Sequence, residues 1–203
     1  MIVCEAHPEL HMLLSANAVA NNLARVRTLN CAVSDKEGTI DFPAPPLSEK
    51  RNFGATGLGL STETTARVLL TTLDRLCAPH PAGTIKIDVE GHEPYVLAGA
   101  EKMILRDRPA IFFEAKAGPV TTANAAWFLE RGYALYWFFA PFVTPVNPKR
   151  APVDASLRGD INLVALPEGR LPPWPMPRLI NPAENWHQRT HEMTYLAEYG
   201  IKV

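Results

Sequence analysis

The residues able to do chemistry in this chain sit where apolar runs stop. Ile2-Val3-Cys4 ends in Glu5, Thr84-Ile85-Lys86-Ile87 in Asp88, and Ala110-Ile111-Phe112-Phe113 in Glu114. Each run reads as a strand, and in open α/β sheets ligands bind beyond the carboxyl ends of the strands. If the strands of Asp88 and Glu114 are neighbours, their carboxylates stand about 5 Å apart. At that distance two carboxylates share a proton, bind a cation or bracket a substrate hydroxyl. Lys86 alternates onto the face of Asp88 and can pair with an acid there. Glu5 suggests a different task. A strand-end acid in a nucleotide-binding sheet accepts hydrogen bonds from both ribose hydroxyls, of a nicotinamide nucleotide or of S-adenosylmethionine. His92, just past Asp88 in "KIDVEGHEP", is suited to general base work near neutral pH. Each assignment has a structural alternative. Asp88, Glu90 or Glu93 can cap the helix that follows and complement its dipole, and His92 can be a surface residue at a helix start.

Other motifs carry less. "GATGLG" has no strand leading into it and no lysine-threonine pair after it, so it reads as a loop rather than a phosphate cradle. His7 and His11, and His187 and His191, are four apart, but neither pair has the glutamate of a zinc-binding HExxH helix. They read as solvated or capping residues. The three cysteines, Cys4, Cys31 and Cys77, are scattered and read as small buried residues in a reducing compartment. Trp137, Phe138 and Phe139 read as core, with the loop after them as a wall for a substrate pocket.

The elements that position these groups follow from periodicity. A helix is expected from about Pro8 to Asn21, then strands in "RVRTLNCAVSD" and "GTIDF". Residues 43–65 form a long loop rich in proline, glycine and threonine. "RVLLTTLDRL" predicts a strand and a short helix capped by Thr72. "TIKIDVEG" is a strand, "EPYVLAGAEKMILRD" one amphipathic helix with Pro94 in its first turn, and "PAIFFEAK" a strand. "TTANAAWFLERG" is a helix ending at Gly132, followed by strands "YALYWFFA" and "INLVALP". Alternating strands and helices, with apolar strands, predict a doubly wound, mostly parallel sheet with an antiparallel end. The proline-punctuated tail holds one short helix in "PAENWHQRTHEMTYLAEYG".

Composition sets the class. The chain has 203 residues, 47% of them hydrophobic and 20% charged, which supports one globular domain with a tail. A net charge of −1 gives no field for nucleic acid or an anionic membrane. No signal peptide is expected, because no basic region followed by an apolar run opens the sequence, and "ALYWFFAPFV" is about half the length of a membrane span. A soluble cytoplasmic protein is expected; no oligomeric state is assigned.

The stretch from Thr84 to Lys116 carries Lys86, Asp88, Val89, Glu90, Gly91, Glu93, Val96, Leu97, Gly99, Ala100, Arg108, Pro109 and Glu114. That pattern resembles the signature of the FkbM family of S-adenosylmethionine-dependent methyltransferases. "NFGATGL", with Asn52 and Gly54, is similar to the family's asparagine-x-glycine loop, and "TTLDRL" to its threonine-leucine-aspartate segment. "CEAHPELHMLLSANAVANN" resembles its second strand and helix, while "RGYALYWFFAPFVTPVNP" and "PAENW" resemble the end of a bacterial subgroup. The likeness runs from residue 2 to 186.

The resemblance implies a Rossmann-like class I methyltransferase fold over residues 1–170, with residues 171–203 as a tail. It implies S-adenosylmethionine as cofactor. Glu5 would hold the ribose; Ala32, Val33 and Ser34 would flank the adenine, with Asp88 nearby. Asp88 or His92 would serve as base or orienting group, and Asn52, Glu90 and Glu114 would line the acceptor pocket. The acceptor would be a hydroxyl of a sugar or natural-product-like molecule; no metal is assigned. The family also has a first strand and glycine-rich cofactor loop, which would precede Ile2. The chain is therefore expected to begin inside a fold. A truncated domain without activity of its own is the alternative; a nicotinamide-dependent oxidoreductase would share Glu5 but leaves the Asp88 stretch unexplained.

Overall fold

A computed structural model describes residues 1–58, 64–115, 118–142 and 159–199. The chain divides into two compact units. The first comprises Met1–Pro81 and Val89–Arg106; the second comprises Ala82–Asp88 and the described residues from Asp107 onward.

In the first unit, β1 (Ile2–Glu5) leads into α1 (Pro8–Ala20) and returns as β2 (Arg27–Val33). β3 (Gly38–Pro43) and β4 (Thr65–Thr71) follow, and the sheet order is β1-β2-β4-β3. β1, β2 and β4 are parallel, and β3 is antiparallel to β4. Ala32, Phe42, Val68 and Leu70 form the core beneath them. Proline at the start of α1 sits where a free N–H has no helical partner, which is why the helix begins at Pro8. α2 (Leu73–Leu76) is capped by Thr72 as expected, its Oγ1 accepting from Arg75 N at 3.2 Å.

The second unit has the order β5-β6-β8-β7, from β5 (Thr84–Ile87), β6 (Ala110–Glu114), β7 (Tyr133–Pro141) and β8 (Gly159–Pro167). β5 and β6 are parallel; β8 is antiparallel to both β6 and β7. α5 (Pro119–Glu130) covers one face, with Phe128 stacked on Phe113 at 5.2 Å. Arg108 closes that helix. Its guanidinium donates to the carbonyls of Arg131 and Gly132 and lies over the Tyr133 ring. The tail edges β7, with Leu179 N donating to Leu135 O and Trp137 N to Pro177 O. The Tyr195 hydroxyl is buried against Phe139, accepting from its N–H and donating to its carbonyl. Burial pushes that hydroxyl up to about 12.

Parallel strands linked through helices, with an antiparallel end, are the mixed α/β, Rossmann-like class the sequence implied. Several details differ. The strands hydrogen-bond as two sheets rather than one, with β1 and β5 each having a single neighbour among the described residues. β5 ends at Ile87 rather than running to Gly91, because Glu90 (φ 51) and Gly91 (φ 89) turn the chain through the left-handed region. The single helix expected over 93–107 is two, α3 (Glu93–Ala98) and α4 (Glu101–Asp107). Gly99, between them, lies against the end of β2, where an added Cβ would clash with Ser34 O. The new start is capped from elsewhere: the Asp74 carboxylate accepts from Lys102 N and Met103 N. The tail holds two 3-10 helices, Trp186–Glu192 and Thr194–Tyr199, in place of one short helix. Cys31 is buried, but Cys4 and Cys77 are half-buried, and the Cys4 and Cys31 thiols interact across neighbouring strands rather than being scattered. The shared hydrogen bond holds Cys4 up and Cys31 down from the usual thiol range. Among the described residues no helix is long and apolar enough to cross a membrane.

Gly99→Ala should lower unfolding free energy by about 1–3 kcal/mol, because the added methyl meets backbone that cannot move aside. Gly83→Ala, which meets nothing within 4 Å, should change it by less than about 0.5 kcal/mol. Urea denaturation of the two variants gives the comparison.

Candidate functional site

In the second unit the strand register builds a row of polar groups. Lys86 lies opposite Phe112, Phe112 opposite Val164, and Val164 opposite Tyr136. Two residues further along the same face come Glu114, Asn162 and Phe138, each opposite the next. Asp88 follows Ile87 directly, past the last β5–β6 pair. Its carboxylate and that of Glu114 present oxygens within 4.8 Å of each other. The proximity expected from neighbouring strands is therefore present. Lys86 Nζ lies 3.4 Å from Asp88 Oδ2 and donates to Asn162 Oδ1 at 2.9 Å. Lys86 and Asp88 are about half exposed, so the pair adds little stability; its effect is to hold a cation beside the acid.

Asn162 was not singled out from the sequence. It is 7% exposed within the apolar run of β8, and a polar residue inside such a run was the available signal. Its neighbour Phe138 is stacked between Trp174 and Tyr195, both from the tail. This places Phe138 in the core as expected. The loop expected to wall a pocket lies at residues 143–158, outside the described residues.

The first unit holds the other candidates. Glu5 ends β1, and its Oε1 accepts from His7 N at 2.7 Å. Asn30 fixes the turn by donating to the carbonyls of Glu5 and Ala6. His7 caps α1 as expected of a capping histidine, but it is buried rather than solvated, with Nε2 on Pro45 O and Nδ1 accepting from Leu10 N. Ala32 and Ser34 are buried at the end of β2, with Val33 half-buried between them. Asn52 Oδ1 accepts from Gly54 N, so this side chain caps its own loop. Glu90 packs against Gly57, where an added Cβ would come within 3.0 Å of the Glu90 Cβ. Glu93 is buried and accepts from Gly91 N, which is the helix-start role foreseen for it. His92 is held by Ser34: its Nε2 lies 2.9 Å from Ser34 Oγ, and its ring stacks on Tyr95 at 4.5 Å. Burial lowers its pKa from the usual histidine value, opposed in part by the Asp35 and Glu93 carboxylates.

A family model for the methyltransferase FkbM domain matches residues 1–135. The chain belongs to the FkbM methyltransferase family. Among curated proteins none matches it. A solved structure, methyltransferase FkbM from Methylobacillus flagellatus KT, is similar at 15% identity over 81% of this chain, with a TM-score of 0.47. The chain spans 36% of the length of that protein. The family match contains Glu5, Ala32, Val33, Ser34, Asn52, Asp88, Glu90, His92 and Glu114, and ends before Asn162.

The lowered pKa of His92 has a sign. Below an unfolded pKa of about 6.5 the unfolded chain binds more protons than the native one, so stability rises with pH there. The contribution is fully present above that value and is lost as pH falls toward the folded pKa. Comparing the pH dependence of unfolding of the parent with His92→Phe should show this slope in the parent and its loss in the variant.

Proposed function

We propose that the protein transfers a methyl group from S-adenosylmethionine to a hydroxyl of a small-molecule or glycan acceptor. The observation that carries this reading is the strand-end carboxylate pair Asp88 and Glu114, braced by Lys86, in a chain of this family. The cofactor, when bound, supplies an electrophilic methyl on positively charged sulfur.

The residues present fit its adenosine half. The Glu5 carboxylate uses Oε1 for His7 N, while Oε2 has no partner among the described residues, leaving an acceptor for the ribose hydroxyls. Ala32, Val33 and Ser34 end the neighbouring strand with small or buried side chains, the kind of surface a flat base packs against. Asp88 and Glu114 orient the acceptor hydroxyl and draw off its proton. Within the first unit, Asn52 and Glu90 are the proposed acceptor-binding residues and His92 a proposed proton acceptor. Because the reaction is an in-line displacement, alignment and proton removal are the main tasks left to these side chains. A sugar or a polyhydroxylated natural product suits a site rich in carboxylate acceptors. Cys4, Cys31 and Cys77, none of them in a disulfide, suit the reducing cytoplasm.

In the whole protein, Glu5→Ala should weaken binding of S-adenosylhomocysteine about tenfold or more, as lost charged hydrogen bonds do. Asp88→Ala should spare that binding and lower methyl transfer by about 10²–10⁴-fold. Calorimetric titration and transfer of radiolabelled methyl give the two readouts. Unchanged turnover in Asp88→Ala would leave this acid a structural role only.

A further inference from the structure

The carboxyl end of β2 carries a hydrogen-bond chain built from residues far apart in sequence. Ser34 Oγ lies 2.9 Å from His92 Nε2 and 3.0 Å from Asp35 Oδ1. A serine hydroxyl has one proton to give, and an ionised carboxylate has none. The contact with Asp35 therefore takes the Ser34 proton. The Ser34 oxygen can then only accept from His92, so Nε2 must carry hydrogen. In a neutral imidazole that leaves the lone pair on Nδ1.

The surroundings hold this arrangement still. Ser34 is 3% exposed, and its backbone N–H donates to Thr71 O at 2.8 Å. Gly99 packs directly against the Ser34 carbonyl, so the loop and helix carrying His92 approach the strand at a fixed distance. Tyr95 stacks on the imidazole at an interplanar angle of 17°, which restricts rotation of the ring. His92 Nδ1 has no partner among the described residues.

We propose that Ser34 and Asp35 are positioning residues that hold His92 as its Nε2–H tautomer and leave Nδ1 as its proton-accepting atom. The catalytic half of this inference rests on the proposed role of His92 as a proton acceptor. In that role a hydroxyl gives its proton to Nδ1, and the bonding pair stays on oxygen. The imidazolium so formed lies two hydrogen bonds from the Asp35 carboxylate, the logic by which a third group orients and supports a base. The charged and titratable groups facing the ring are Asp35 from the end of β2, and Glu93 and Tyr95 from α3. Both carboxylates favour the charged ring, and burial, the larger effect, favours the neutral one.

The test is nitrogen-15 NMR of the histidine-labelled whole protein, without cofactor or acceptor, at a pH above the His92 titration. The expected spectrum has a protonated, pyrrole-type Nε2 and an unprotonated, pyridine-type Nδ1 for His92. Ser34→Ala should collapse this to a mixture of tautomers, and Ser34→Thr, which keeps the hydroxyl, should restore it. Asp35→Asn should move the His92 titration midpoint to lower pH, because the carboxylate with the larger effect on the ring no longer supports the imidazolium. A protonated Nδ1 in the parent protein would overturn the proposal, and that result needs no variant to fold. So would a Ser34→Ala spectrum as purely Nε2–H as the parent. Absence of methyl transfer with the expected tautomer in place would strike the proposed function and leave the Ser34–Asp35 lock standing.

Discussion

The one-for-one pairing of β5 with β6, and of β6 with β8, is the constraint on which the second unit's polar row depends. Ile87 opposite Phe113 is the last β5–β6 pair, and the next residue on each chain segment is an acid. Glu114 opposite Asn162 brings in an amide from an antiparallel strand. A slip of one residue in either pairing would turn one acid to the opposite face. The buried side chains on the α5 face, among them Ile111, Phe113, Leu135 and Leu163, oppose such a slip, because it would carry them to the other side. Apolar packing on one face thus sets the placement of charge on the other.

The first unit solves a different problem, bringing the end of β2 and the start of α3 into direct contact. Gly99 permits the approach, Asp74 caps the helix that restarts after it, and His92 is anchored to Ser34 at the same place. Interrupting the helix costs hydrogen bonds along its axis. The Asp74 carboxylate supplies two acceptors to the new first turn and offsets part of that loss. The result is a strand end whose side chains have defined partners, suited to positioning rather than to adapting.

Strand-end acids in this chain divide between capping and openness. Glu93 is consumed by the turn at Gly91, and half of the Glu5 carboxylate is consumed by His7 N. Asp88 instead faces an ammonium, which keeps a charged partner beside it without closing it off from solvent. The capping and functional readings of such acids are therefore not exclusive. Glu5 caps with one oxygen, and the other is the acceptor that the proposed ribose contact would use.

Much of this was legible in the residues themselves. Apolar runs located the strands that lead into Glu5, Asp88 and Glu114, and alternation put Lys86 on the face of Asp88. Thr72 and Pro8 marked helix starts, because capping and ring geometry act within one turn of chain, whereas α5 begins at Pro119, two residues before the threonine start expected for it. The signature around Asp88 named the family. Asn162 beside Glu114, the break at Gly99, the burial of His7 and the Ser34–His92 contact were not legible, for one reason. Each depends on two segments tens of residues apart meeting at a particular register. Local periodicity determines what an element is and which face it presents. Which partner that face meets is decided by packing across the chain, and only the tertiary structure contains it.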